Sequence, residues 1–224
     1  MARNIIVINP NSTTRVTAGI DAAVDALRIP GGPGIECVTL QAGPPGVESQ
    51  RDADAVIQPL VDYVHARDNE ADAFVIACYS DPGLHSAREA SAHPVFGIAE
   101  CGLMAALTRG ERFGVLSILA KSVPRHLRYV RALGIDSRMA ADLPIGLGIA
   151  ELGDDARVME CMIAVGERLR DEHLADVLVM GCAGMARFRD RLEDAVGLPV
   201  IEPTQAAVTM ALGAVCLGQR GRAH

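Results

Sequence analysis

One apolar, strand-length segment occurs twice in this chain, and each copy ends at a cysteine. ADAFVIACYSDPG (71–83) parallels ADVLVMGCAGM (175–185), with an aspartate six residues before the cysteine in both. HPVFGIAECGLMAAL (93–107) parallels LPVIEPTQAAVTMAL (198–212). More weakly, NIIVINPNST (4–13) parallels RFGVLSILAK (112–121). The three pairs keep their order at a nearly constant offset, so the chain reads as one half-domain used twice. Strands are expected at 4–8, 35–40, 73–78, 95–98, 113–118, 176–181 and 199–201. They are rich in Val and Ile and nearly continuous in hydrophobicity, as strands covered on both faces are. Helices are expected near 13–27, 51–66, 82–91, 100–108, 122–133, 154–172, 185–195 and 204–217. Such alternation implies parallel sheets joined by right-handed crossovers. The expected fold class is therefore α/β, with two similar lobes, each a parallel sheet flanked by helices. The lobes would be related by pseudo-two-fold symmetry, with the active site between them. Their expected extents are 1–97 plus 204–224, and 98–203.

Composition narrows the function. A net charge of −7 and a pI near 5.3, without a basic block interleaved with aromatics, argue against nucleic-acid and membrane-surface partners. The opening MARNIIVINPNST has an apolar run too short for a leader and reads as the first strand. No run reaches the length of a membrane span, and a cytoplasmic address is expected. The six cysteines, Cys37, Cys78, Cys101, Cys161, Cys182 and Cys216, lie far apart with no C-x-x-C pair. They fit reduced thiols rather than a disulfide framework or a zinc site, and most are expected to be inert core.

Two cysteines in matching frames need a reason beyond packing. Each stands just before an expected helix start, with Ser80, Asp81 or Pro82 available to open the helix after Cys78. A thiol there meets unpaired backbone N–H groups and the positive end of the helix dipole, which favour the thiolate. The same N–H groups can hold a developing oxyanion. Inverting a carbon beside a carbonyl requires a base on one face and an acid on the other, and two thiols across a cleft can exchange those roles. At the first strand end, INPNST (8–13) supplies Asn9, Asn11, Ser12 and Thr13, expected to divide between capping and binding a polar ring or carboxylate. The pseudo-equivalent turn supplies Ser117, Lys121 and Ser122.

Taken together, INPNST, ACYSDPGL, PVFGIAE, SILAKS, GCAGM and PVIEP resemble the hydantoin and allantoin racemases of the aspartate/glutamate racemase superfamily. The likeness runs from residue 5 to about 205. It implies two α/β lobes, no cofactor and no metal, and a proton transfer between two cysteines at C5 of a five-membered ring. It also implies Cys78 and Cys182 as the catalytic pair and Asn11 and Ser12 as a substrate-contacting turn. The amides around Tyr79–Ser80 and Ala183–Gly184 would be oxygen-binding cradles. The chain departs from the family in carrying Tyr79-Ser80 where Phe-Gly is common, and Lys121 where Arg is frequent.

The expected partner is a small molecule, a hydantoin or allantoin ring, and a homo-oligomer is expected. Within the superfamily, aspartate and glutamate racemases usually carry Cys-Asn-Thr and Gly-Cys-Thr turns, which this chain lacks. Arylmalonate decarboxylases keep one of the two cysteines. Maleate isomerase-like chemistry remains open, as does a small-molecule binding module with unreactive thiols. His85, His93 and His126 read as surface or capping residues, and Glu100 as a residue that orients a neighbouring turn.

Overall fold

The computed structural model describes residues 3–221. The expected lobe residues 1–2 and 222–224 lie outside them. The chain divides into two compact units, one running through Cys101 and resuming at Thr204, the other comprising Gly102–Pro203.

The first unit begins with β1 (Asn4–Asn9), α1 (Thr14–Ala23), β2 (Gly34–Thr39), α2 (Gln50–Ala55) and α3 (Ile57–Ala66). It continues through β3 (Ala73–Ile76), α4 (Leu84–Ala90), β4 (Val95–Gly97) and the start of α5 (Ile98–Leu107). Its four strands form a parallel sheet in the order β2-β1-β3-β4. β1 and β3 are central, and Ile5–Ile8 and Ala73–Ile76 are wholly buried, which accounts for their unbroken apolar sequences. Ile6, Ile8, Phe74 and Ile76 pack with Val56, Leu60 and Val64 in one core. The single helix expected over 51–66 is two helices that meet at Val56. The first is opened by a capping box, in which Ser49 Oγ accepts from Asp52 N–H and the Asp52 carboxylate accepts from Ser49 N–H.

The second unit holds β5 (Phe113–Ser117), α6 (Val123–Ala132), β6 (Met139–Pro144), α7 (Asp155–Asp171), β7 (Val177–Met180), α8 (Arg189–Val196) and β8 (Val200–Ile201). Its parallel sheet has the order β6-β5-β7-β8, the same as in the first unit when strands are counted within each unit. The three repeated sequence pairs therefore fall on corresponding strands: β1 with β5, β3 with β7, β4 with β8. Two short 3-10 segments, Ile149–Gly153 and Ala183–Phe188, flank α7 and β7. Gly166 on α7 lets the helix lie against Val196 and Leu178, because a Cβ there would come within 2.9 Å of the Val196 side chain. α9 (Pro203–Cys216) returns to the first unit, where Gln205 donates to Ala23 O and Arg3 donates to Val215 O.

β6 is the strand that sequence reading omitted. Its residues, MAADLP, contain no β-branched side chain and end at proline, so local preference does not mark a strand. It lies at the sheet edge and forms through pairing with β5, where the register shifts between Phe113 and Gly114. No described helix is long and apolar enough to cross a membrane.

Candidate active site

Both cysteines stand just beyond the third strand of their unit, and each strand end is tied to the first strand by the same bond. Ala77 N–H donates to Ile8 O at 2.8 Å, and Gly181 N–H donates to Leu116 O at 2.8 Å. Cys78 and Cys182 are the next residues, both half-buried and unoxidised.

Around Cys182 the sequence GCAGM is explained residue by residue. A Cβ on Gly181 would lie 2.6 Å from Leu116 O, so only glycine allows the strands to approach at this point. Cys182 is the N-cap of the 3-10 segment Ala183–Phe188, and its Sγ accepts from Gly184 N–H at 3.4 Å. A Cβ on Gly184 would lie 3.5 Å from that sulfur and 3.1 Å from Leu152. One backbone N–H, that of Gly184, thus reaches the Cys182 sulfur. Arg187 fastens this turn by donating to Gly184 O, Leu152 O and Asp155. Its guanidinium holds the Asp155 carboxyl below the usual carboxylate range.

Cys78 is arranged differently. A tight turn follows, with Asp81 N–H donating to Cys78 O at 2.9 Å, and the next helix starts only at Leu84. The N-cap of that helix is Gly83, at φ 68°, rather than Ser80 or Asp81. Asp81, itself at φ 41°, turns its buried carboxylate toward α5 instead. There it accepts from Ala99 N–H at 2.9 Å and Glu100 N–H at 2.8 Å. The Cys78 turn is thus bolted to the helix after β4, not to the helix after β3. Glu100 in turn pairs with Arg88 at 2.5 Å, and Arg88 also donates to Val95 O. Tyr79 is buried and Ser80 half-buried.

The INPNST turn leaves β1, the strand paired with the one that leads to Cys78. Asn9 is buried and donates to Asn11 Oδ1, Thr13 O and Thr17 Oγ1. Asn11 Oδ1 also accepts from Thr13 N–H at 2.9 Å. The expected side-chain cap of α1 is absent: Thr13 occupies the N-cap, but its hydroxyl donates to Pro45 O. Ser12 N–H donates to Pro44 O, leaving Ser12 half-buried at the turn. In the first unit Asn11 and Ser12 thus follow β1, and Cys78, Tyr79 and Ser80 follow the adjacent strand β3.

In the second unit, Ser117 ends β5 and Lys121 lies in the turn after it, while Cys182, Ala183 and Gly184 follow the paired strand β7. Lys121, the chain's single lysine, is exposed. Ser122 is buried, and its hydroxyl has no hydrogen-bond partner among the described residues. Ser117 is fully buried with its hydroxyl turned into the unit, where it donates to the Asp142 carboxylate and lies 3.0 Å from His126 Nδ1. His126 is 4 % exposed, so it is not a surface residue. Asp142 lies on β6, the omitted strand, so no signal in the sequence could have paired it with His126.

Of the other cysteines, burial pushes the Cys101 thiol up to about 12, helped by the nearby charges of Asp81 and Glu100. Burial and then Asp21 push Cys37 to about the same value. Cys216 is exposed and falls outside the core. No cluster of potential metal ligands occurs among the described residues.

A parallel α/β unit used twice, with a cysteine beyond the third strand of each copy, defines a duplicated α/β protein with one thiol at the same topological position in each unit. Residues 5–211 match the family model described as Asp/Glu/Hydantoin racemase, and the chain belongs to that family. It is 36 % identical to a hydantoin racemase of Pseudomonas sp. (strain NS671) over 219 residues, covering 96 % of this chain and 87 % of that one. Among solved structures it is similar to allantoin racemase from Klebsiella pneumoniae, with a TM-score of 0.90 and 30 % identity, over 99 % of this chain and 91 % of that one. Allantoin racemase from Pseudomonas fluorescens gives a TM-score of 0.93 at 29 % identity, over 98 % and 93 % of the two chains.

Proposed function

We propose that this racemase-family protein inverts C5 of 5-monosubstituted hydantoins, with Cys78 and Cys182 as its two acid/bases. The observation that carries the reading is the equivalence of the two cysteine positions. Each follows the third strand of its unit, one residue after an identical bond to the first strand. Duplicated placement of one ionisable group suits a reaction whose forward and reverse directions need the same group on opposite sides of one carbon. One cysteine, as thiolate, takes the C5 proton and becomes a thiol. The electron pair left at C5 delocalises onto the adjacent carbonyl oxygen, and the other thiol returns a proton to the opposite face. The protonation states are then exchanged, ready for the other enantiomer.

Backbone N–H groups of the Tyr79–Ser80 and Ala183–Gly184 turns are suited to hold the enolate oxygen. Asn11, Ser12 and Lys121 are proposed to contact the ring. GCAGM supplies no polar side chain beside Cys182, which fits a neutral ring better than a free acidic amino acid. The two solved allantoin racemases support allantoin as a second substrate, since it is a hydantoin bearing a ureido group at C5. We propose further that the enzyme needs no cofactor and works as a cytoplasmic homo-oligomer.

The test is polarimetry of an L-5-monosubstituted hydantoin in deuterium oxide, with wild type beside Cys78→Ala and Cys182→Ala. Rotation decaying to zero with deuterium entering C5, lost in both variants, is the expected result. No decay with hydantoins or allantoin would refute the reading and turn attention to acidic amino acids, malonates and maleate.

A further inference from the structure

Three polar side chains are sealed inside the second unit. Ser117 ends β5, His126 lies on α6 and Asp142 on β6, and they are 0 %, 4 % and 8 % exposed. His126 Nδ1 is 2.8 Å from Asp142 Oδ2 and 3.0 Å from Ser117 Oγ, while the Ser117 hydroxyl donates to Asp142 Oδ1. With a carboxylate as acceptor, Nδ1 carries the ring proton.

The trio is not a nucleophile relay. In such a relay the hydroxyl and the carboxylate engage opposite ring nitrogens, so that the ring can take the hydroxyl proton. Here both engage Nδ1, and the hydroxyl proton points to the carboxylate. A buried polar network rigidifies what it joins, at a high cost if one member is lost. What it joins is the C-terminal end of the sheet. Ser117 O accepts from Ile145 N–H at 2.8 Å, and the next carbonyl, Ile118 O, accepts from Gly146 and Leu147 N–H. Gly181, the residue before Cys182, packs against this corner, with its would-be Cβ 3.2 Å from Ser117 Cα.

The first unit has a polar cluster at the corresponding strand end, built without ionisable groups. Asn9 ends β1 and donates to Thr17 Oγ1 on α1, which meets Thr39 Oγ1 on β2 at 2.5 Å. Both units therefore tie first strand, first helix and second strand together beside the cysteine turn.

We infer that Asp142 and His126 are positioning residues which, through the Ser117 hydroxyl, hold the β5 corner against which the Cys182 turn is set. This gives Ser117 a positioning role in place of a substrate contact. The inference deepens the proposed function by naming what aligns one of its two thiols, and it rests on that reading for its catalytic meaning. Loosening the corner lets the Gly184 N–H leave Cys182 Sγ, and the thiolate loses a donor.

The test compares iodoacetamide labelling of Cys182 and Cys78 in the full chain at neutral pH, resolved by peptide mass spectrometry. Variants are Ser117→Ala and Asp142→Asn. Ser117→Ala removes one oxygen and keeps the His126–Asp142 pair, so it remains informative if Asp142→Asn does not fold. Labelling of Cys182 is expected to slow by on the order of threefold to thirtyfold, with Cys78 unchanged, because Ser117, His126 and Asp142 all belong to the second unit. An unchanged or faster Cys182 in folded Ser117→Ala would overturn the inference, and so would equal slowing of both thiols. Labelling needs no turnover, so failure of the hydantoin assay with wild type would refute the proposed function and leave this result to stand or fall separately.

Discussion

Gly97→Ala is expected to damage the protein through one contact, and a second substitution should abolish the damage. A Cβ on Gly97 would lie 2.3 Å from the Asp81 carboxyl carbon and Oδ2, and 2.6 Å from Oδ1. Non-bonded carbon atoms settle at about 3.5–4.0 Å, so the carboxylate must move by on the order of 1 Å. It cannot move that far and keep its bonds to Ala99 and Glu100 N–H at 2.9 and 2.8 Å. Hydrogen bonds to a charged group contribute about 1.5–3 kcal/mol each, so losing the two at the lower end of that range should cost about 3 kcal/mol. Asp81→Gly removes the carboxylate and relieves the left-handed backbone at φ 41°, and should cost about 2 kcal/mol. In that background Gly97→Ala has nothing left to strike and should cost under about 0.5 kcal/mol. The pair should therefore couple by about 2.5 kcal/mol in a double-mutant cycle, where independent sites would add. Urea unfolding of the four proteins, with m unchanged, measures it. Equal cost of Gly97→Ala in both backgrounds would show that Asp81 does not hold α5 as described.

Two further outcomes follow from particular contacts. Gly181→Ala should destabilise by about 1–3 kcal/mol, because its Cβ would meet Leu116 O, a backbone atom that cannot swing aside; thermal unfolding measures this, and a wild-type Tm would contradict the packing. Cys101 in the folded protein ionises near 12, against 9.0 for an ordinary thiol. Below pH 9 neither state loses this proton. Between 9 and 12 the unfolded chain does, so stability should fall there with a slope approaching about 1.4 kcal/mol per pH unit from this group. Cys101→Ala should flatten that decline in unfolding curves across the window, and an unchanged slope would mean that Cys101 is not buried as a thiol.

How much of this was readable in advance differed between the two ends of each strand. Val- and Ile-rich runs at β1, β3, β5 and β7 announce themselves because a strand covered on both faces leaves no room for polar residues. The duplicated cysteine was equally plain, since a repeat at constant offset needs only the chain to be seen. β6 was not legible, because an edge strand of Ala, Asp and Pro forms only when β5 is there to pair with it. His126 was misread for the same reason, as its partner lies on that strand.

The sequence by itself determined the α/β class, the twofold use of one unit and the two thiols, all of which depend on side-chain type and spacing along the chain. Only the tertiary structure decided what each polar residue near those thiols holds. Asp81 passes over the adjacent α4 to cap α5, while Ser117 turns inward to Asp142 and His126. Such choices depend on which backbone N–H or buried hydroxyl lacks a partner once the strands are packed, and that demand does not exist until the fold has formed.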